Sequence, residues 1–202
     1  GVSVFHNRMN DFIFYRKLES LLGGDSLVNV NGDNIPAFEF NQSDAKLIGF
    51  EASLDIHPHP LDWLHFENAV SFVRGRFDDA IDGSDNLPLI PAAKLASELR
   101  AAFKKAGKLL QNVYLKTGID KIFDQKNPFT GYGTETATKG YALISAGAGA
   151  DIVAENKILF SLHISISNIT NAAYQGHLSR LKYTSDNLVA GRPGVFGVGR
   201  NF

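Results

Sequence analysis

The sequence contains no cysteine among its 202 residues, and its charges nearly cancel, with 20 Lys and Arg against 21 Asp and Glu. The lack of cysteine excludes a domain cross-linked by disulfides and a metal site with thiolate ligands. The balanced charge removes the electrostatic attraction on which nucleic-acid binding depends, so we expect no nucleic-acid partner. The length is that of one domain, which we take to span residues 1–202.

Long hydrophobic runs are also missing. The longest weakly polar stretch, 141–150, is interrupted by glycine, and a membrane-spanning helix needs ~18 or more apolar residues. The pattern therefore excludes a helical membrane protein. No secretory signal peptide is recognisable, and the chain begins with Gly1 in mid-pattern, so we expect a processed or recombinant product.

What the sequence does contain is alternation of apolar and polar residues, which is the period of a β-strand and not of a helix. The alternation is clear at 46–56, 141–153 and 159–167, weaker at 64–77, 94–103 and 109–123, and irregular near 2–18. We predict eight strands, near 2–18 and at 46–56, 64–77, 94–103, 109–123, 141–153, 159–167 and 194–202. No segment carries a convincing helical stripe. The fold class is therefore all-β, with antiparallel strands that run up and down in chain order.

The predicted connections alternate between long and short, which places every long one at the same end of an up-and-down sheet. Outer-membrane barrels have this arrangement, with short periplasmic turns and long outer loops. Most predicted strands also reach the ~9 to 11 residues that a tilted membrane strand needs. Aromatic residues fall near strand ends, where interfacial girdles lie: Tyr15, Trp63, Phe77, Phe103, Phe123 and Tyr141. The pattern therefore favours a transmembrane β-barrel in the cell outer membrane.

In such a barrel the apolar face contacts outer-membrane lipid and the charged face lines a wet lumen. The residues predicted to face the lumen are Glu51, Asp55, Glu98, Arg100 and Asp151, together with Glu67, Lys94, Lys116 and Asp120. Alternation alone does not say which face is inside. A small closed barrel of eight strands, soluble or pore-less, would turn the apolar face inward around an apolar ligand, and it is the alternative.

Several segments resemble the barrel of TonB-dependent outer-membrane receptors of the kind common in Bacteroidetes. They are Ala45 to Ala52, His57-Pro58, Leu87 to Ala92, Ile169 to Tyr174, His177 to Tyr183, the Gly191-Arg192 pair and the terminal Phe202. The block from Asn168 to Tyr183 is the most specific. The resemblance implies the C-terminal portion of a larger barrel of about 22 strands. It also implies uptake of an unknown nutrient and a partnership with the TonB system, through a plug domain absent from these residues.

The last predicted strand ends in an aromatic residue. Counted back from the end, Phe202, Val198 and Phe196 share one face, and Arg200 departs from the apolar row. This terminus resembles the signal by which the barrel-assembly machinery reads outer-membrane barrels. The resemblance therefore implies that these three side chains form an assembly signal.

The residues that could suggest catalysis or metal binding are better explained as ordinary parts of strands, turns and loops. His163 and Ser165 resemble the His-x-Ser pair of outer-membrane phospholipase, but they share the polar face, where no lipid ester reaches them. His57, His59 and His65 lie around a proline-rich turn without a carboxylate at ligand spacing. The acidic residues Asp78, Asp79, Asp82 and Asp85 are expected to form a solvated outer loop. We therefore expect no catalysis, no cofactor and no metal site.

Overall fold

The computed structural model describes residues 1–133, 135–155 and 157–179. Its strands are β1 (Val2–Lys17), β2 (Leu27–Val30), β3 (Asp33–Pro36), β4 (Phe38–Ile56), β5 (Leu64–Ile81), β6 (Ser84–Asn86), β7 (Lys94–Ala106), β8 (Leu110–Ile122), β9 (Tyr141–Ala154) and β10 (Lys157–Ile166). A 3₁₀ turn at Gly131–Gly133 is the one helical element of this part of the chain. None of the described residues build a helix with the length and apolarity that a bilayer crossing requires.

Seven long strands form one antiparallel sheet in the order β1-β4-β5-β7-β8-β9-β10, with β6 added beside β5. Strands β2 and β3 form a separate hairpin. Each long strand therefore pairs with the next long strand of the chain, and the predicted up-and-down, all-β class is confirmed. Because β1 and β10 each pair on one side only, the described sheet is not closed.

Most long strands lie close to the predicted ranges, but β5 runs on to Ile81 instead of ending near 77, and the first long connection also differs. Strand β4 begins at Phe38 instead of near residue 46, because 38–43 pairs with the far half of β1. Part of the predicted loop 19–44 is therefore sheet, and the β2–β3 hairpin occupies much of the rest. A bulge between Met9 and Phe12, where Asp11 has a φ of 55°, explains the irregular pattern of the first strand. The predicted last strand, 194–202, lies outside the described residues.

The pairing keeps two faces apart across the sheet. Strands β4 and β5 pair without a shift from Ala45↔Phe77 to Ile56↔Phe66, and β5 with β7 likewise. One face, here called the apolar face, sets Phe50 against Phe72, with ring centroids 5.9 Å apart. The other, the polar face, sets Glu67 against Glu98. Neighbouring strands therefore turn their apolar side chains to the same side of the sheet, and each face is continuous across them.

The apolar face has no protein cover in the described part of the chain. Its exposed large side chains include Ile48, Phe50, Leu54, Phe66, Phe72, Leu99, Phe103, Leu115, Ile119, Ile144, Leu162 and Ile164. The buried apolar core lies instead on the opposite face, where Phe14, Ala45, Phe77, Leu87 and Phe129 pack together near the long connections. This contradicts the arrangement expected of a small barrel with its apolar face inward.

Two of the predicted girdle aromatics do not lie on the apolar face. Trp63 stacks on Phe103 with centroids 5.4 Å apart, and both are exposed, as are Tyr15 and Phe123. Phe77, by contrast, is only 2% exposed and packs against Phe14 and Phe129. Tyr141 packs against Tyr174 with ring centroids 4.6 Å apart. The predictions for Phe77 and Tyr141 are therefore wrong, because the strand register puts both residues on the polar face.

Two glycines of the polar face admit an aromatic ring from a neighbouring strand. A Cβ on Gly49 would lie 2.5 Å from Cζ of Phe5, and one on Gly149 would lie 2.5 Å from Cε1 of Tyr114. A side chain at either position would displace the ring. The lack of a side chain at Gly49 therefore allows the close approach of Phe5.

Leu87 anchors the β5–β7 connection to the sheet. Its Cδ1 would lie 2.7 Å from a Cβ on Gly75, and its backbone N–H donates to the Gly75 carbonyl at 3.1 Å. We expect Leu87→Ala to lower the free energy of unfolding by about 2 to 5 kcal/mol, since it opens a cavity. Leu89→Ala, in the same connection but 66% exposed, should cost less than about 1 kcal/mol. Urea unfolding of both variants tests this, and equal losses would contradict the packing.

Candidate functional site

The polar face contains five of the residues predicted to face the lumen. Glu51 and Asp55 lie on β4, Glu98 and Arg100 on β7, and Asp151 on β9. The register places Glu98 opposite Gly118 on β8 and Asp151 opposite Ser161 on β10. These five side chains therefore lie on one surface that runs across the sheet.

The lysines of this surface are paired. Lys116 Nζ lies 2.9 Å from Glu98 Oε2, and Lys94 Nζ lies 2.8 Å from Asp120 Oδ1. Both pairs join β7 to β8 and are partly open to solvent, so each adds only about 0 to 1 kcal/mol. Their effect is to leave the β4 and β5 side of the surface more acidic than the β7 and β8 side.

Three carboxylates form a row across β4, β5 and β7, and the one on β7, Glu98, is paired with Lys116. Asp55 is directly opposite Glu67, and Glu67 is directly opposite Glu98. Like charges at opposed positions of a sheet repel each other, and water between the side chains weakens that repulsion. A cavity of about 340 Å³ in front of the row provides room for water. The row therefore fits a wet surface better than a packed one.

An aromatic cluster adjoins the row. The Arg100 guanidinium lies 4.7 Å from the Tyr114 ring centroid, and the Tyr114 hydroxyl lies 3.2 Å from Nδ1 of His163. His163 thus contacts a phenol of β8, and no hydrogen bond joins it to Ser165 in the described chain. Asp151 accepts hydrogen bonds from Ser161 at 2.6 Å and Asn112 at 2.7 Å. The cluster positions polar groups without forming a nucleophile and its base.

The histidines of the β4–β5 turn converge more than their sequence suggests. His57 Nε2 lies 2.8 Å from Asp55 Oδ1 and 3.3 Å from His65 Nδ1. His59 points elsewhere and lies 3.6 Å from Asp62. The sequence shows no carboxylate at ligand spacing for these histidines, but the strand end brings Asp55 against His57. Even so, no three His, Asp or Glu side chains among the described residues are arranged to hold a metal ion.

The four predicted loop aspartates do not form a freely solvated loop. Asp78 and Asp79 belong to β5, and Asp78 lies 2.9 Å from Lys46 Nζ and 3.4 Å from Arg8. Asp85 lies 3.6 Å from Arg76, and Asp82 lies 4.0 Å from Arg16. The strand extends further than predicted, so Asp78, Asp82 and Asp85 lie within 4.0 Å of cations of neighbouring strands.

A buried carboxylate ties the long connections together. Glu135 accepts hydrogen bonds from the backbone N–H of Leu89 at 2.5 Å and of Phe129 at 3.2 Å. Its Oε2 also lies 3.7 Å from Nε2 of His177, and both side chains are more than nine-tenths buried. The other ring nitrogen of His177 lies 2.9 Å from the Thr138 hydroxyl. One residue thus joins the β5–β7 connection, the β8–β9 connection and the segment after β10.

The pKa of Glu135 reflects this environment. Burial alone would raise the pKa of its carboxyl group, but the contact with His177 and the hydrogen bonds from the amides of Leu89 and Phe129 hold the pKa below its ordinary value. The charged form is therefore the one that the folded connections stabilise. Sequence reasoning missed Glu135, because nothing in a loop glutamate signals burial. His177 falls within the segment that resembles the receptor family, which is the one signal the sequence offered.

A pocket of about 710 Å³ opens beside this contact at the long-loop end. Its walls are largely aromatic and include Phe12, Phe14, Phe38 and Phe129, with Glu135 and His177 contributing polar atoms. The volume is in the range of small-molecule sites, which are mostly apolar with a few polar groups. The predicted assembly-signal residues, Phe196, Val198 and Phe202, lie outside the described part of the chain.

The fold is similar to part of a known transport protein. The solved structure of "Copper transporter OprC" superposes with a TM-score of 0.65 at 16% sequence identity, over 88% of this chain and 23% of that protein. The chain thus spans about a quarter of the length of the protein it matches. At this identity the likeness concerns the fold. No protein-family model matches the sequence, and no curated protein sequence matches it.

Replacing the buried carboxylate should loosen the long connections. Glu135→Gln removes a charged acceptor, and we expect the amides of Leu89 and Phe129 to lose about 1 to 3 kcal/mol of protection in hydrogen exchange. Glu155→Gln, at an exposed position, is the control and should change neither amide.

The same contact predicts a pH dependence. Because the pKa of Glu135 is lowered in the folded state, its stabilisation is present above the ordinary Glu value of ~4.3 and is lost as the pH falls through the lower folded value. After correction for intrinsic exchange rates, the Leu89 and Phe129 amides of wild type should lose hydrogen-exchange protection in acid. The same amides in Glu135→Gln should show no such acid-dependent loss. Identical acid profiles would contradict the assignment.

Proposed function

We propose that this chain is the C-terminal part of the β-barrel of a TonB-dependent outer-membrane uptake receptor. The observation that carries the proposal is the exposed apolar face opposite a charged one. The apolar row from Ala142 to Ile152 is roughly 33 Å long at ~3.3 Å per residue, or about 25 Å across a membrane at a tilt of about 40°. That height equals the lipid-facing band of outer-membrane barrels.

In this proposal the polar face lines the pore, and Glu51, Asp55, Glu98, Arg100 and Asp151 face the lumen. The row of opposed carboxylates supports a water-filled interior. The long connections lie at the outer surface, where the aromatic pocket beside Glu135 provides a first binding place for the nutrient substrate. The chain itself catalyses no reaction and forms part of the pore wall and the outer binding loops.

The partners follow from the same proposal. Outer-membrane lipid covers the apolar face, and the TonB system acts through a plug domain that this sequence does not contain. The likeness to a transporter over 23% of its length supports a role as one portion of a larger barrel. The barrel-assembly machinery would insert the protein, and β1 and β10 would pair with further strands.

The orientation can be tested within one strand. In β9, Ala146 lies on the apolar face opposite Thr117 and Ile166, whereas Ser145 lies on the polar face beside Gly118. An arginine at the lipid-facing midplane costs about 2 to 4 kcal/mol, while a lumen position tolerates it. We expect Ala146→Arg to reduce the folded fraction of the intact receptor in lipid vesicles much more than Ser145→Arg. Equal losses, or the reverse order, would overturn the orientation.

The proposed assembly signal has a separate test. If Phe202 is read together with Phe196 and Val198, its deletion should strongly lower the fraction of intact receptor inserted in the outer membrane of cells. Asn201→Ala, next to it on the other face of the predicted strand, should have little effect. If both variants insert at the wild-type level, Phe202 is not part of the assembly signal.

A further inference from the structure

The apolar face carries a group of cations at its long-loop end. Arg8 on β1 is opposite Lys46 on β4, and Lys46 is opposite Arg76 on β5. These three form one row across three neighbouring strands. Arg74 lies one row nearer the apolar side chains, opposite Ile48. The four residues Arg8, Lys46, Arg74 and Arg76 are called the outer cationic patch.

The patch lies just beyond the apolar band. Phe50 and Phe72 contact each other on the same face, and Arg74 follows Phe72 by two residues, or ~7 Å along the strand. In the orientation proposed above, this is the level at which the hydrocarbon of the outer leaflet meets the lipid head groups. Long basic side chains at that level extend toward the head groups.

The patch is only partly neutralised by the protein. Asp78 is shared by Lys46 and Arg8, and Asp85 lies 3.6 Å from Arg76. Within the described chain, Arg74 has no carboxylate within 4.0 Å. The Nε atoms of Arg74 and Arg76 are both shielded from solvent and have no hydrogen-bond partner in the described chain. Arg76 Nε has the Asp85 carboxylate at 3.6 Å, so Arg74 is the cation of the patch that no carboxylate of the described chain neutralises. An anion from outside the chain can balance its charge.

We propose that the outer cationic patch binds the phosphate groups of phosphorylated lipid in the outer leaflet, with Arg74 as the central contact. Guanidinium groups bind phosphate through paired N–H donors, and such charge-assisted bonds are short and strong. The patch lies on the face opposite the polar one, so a substrate in the pore does not reach it. The inference rests on the membrane orientation given under the proposed function.

The test uses the purified intact receptor in detergent and lipid A as the probe, in its bis-phosphorylated and dephosphorylated forms. We expect wild type to bind the phosphorylated form at least about tenfold more tightly, a difference of ~1.4 kcal/mol. The double variant Arg74→Gln/Arg76→Gln should lose that preference. Arg74→Lys, which keeps the charge but not the paired donors, should lose part of it. Native mass spectrometry or a thermal-shift titration measures each affinity.

The matched control is Lys105→Gln, which removes an exposed cation from the apolar-face side of β7 at the opposite end of the sheet. It should retain the preference within about twofold. Equal binding of the two lipids by wild type, or equal losses in Lys105→Gln and the double variant, would overturn the patch assignment. Competition by inorganic phosphate at the lipid's own concentration would overturn it too, since it would mark a free-phosphate site.

Failure of the patch and failure of the proposed function give different results. Wild type that folds into phosphatidylcholine vesicles but shows no preference for phosphorylated lipid A rejects the patch alone. Wild type that does not fold into vesicles of any composition rejects the membrane orientation, and the patch inference is rejected with it.

Discussion

Everything else in this structure depends on the unshifted register that runs from β4 to β8. Because side chains alternate with a period of two, a slip of one residue would move Phe50 and Leu54 to the polar face and Glu51 and Asp55 to the apolar one. The pairing of Ala45 with Phe77 at one end and Ile56 with Phe66 at the other holds that register over twelve consecutive residues of each strand. The sheet can therefore present two different surfaces to two different environments.

The packed core follows from this arrangement and not from the usual burial of apolar strand faces. Since the apolar face is left open, the core forms where the long connections fold back on the polar face. Leu87 fills the space over Gly75, and the Gln125 side chain donates to the carbonyls of Ile90 at 2.9 Å and Pro91 at 3.2 Å. Glu135 joins the same two connections through Leu89 and Phe129 and adds the segment after β10 through His177. The long-loop end is thus the best-packed part of the described chain, which suits a preformed binding surface.

The outer cationic patch shows how the two faces change along the strand axis. On β5 the apolar face passes from Phe72 to Arg74 within two residues, while the polar face passes from Ser71 to the buried Phe77. At the long-loop end of β5 the apolar face therefore becomes charged, and the polar face becomes apolar. A boundary between hydrocarbon and head groups outside, and folded connections inside, accounts for both reversals.

The sequence by itself determined the class, the number and place of the long strands that the structure describes, and the set of charged residues that share a face, because these follow from local alternation. It did not reveal the early start of β4 at Phe38, the burial of Phe77, the contact of Glu135 with His177, or the convergence of Arg8, Lys46 and Arg76. Each of these depends on residues far apart in the chain that only strand pairing and loop packing bring together. Alternation specifies which side chains share a face, but the register decides which of them become neighbours.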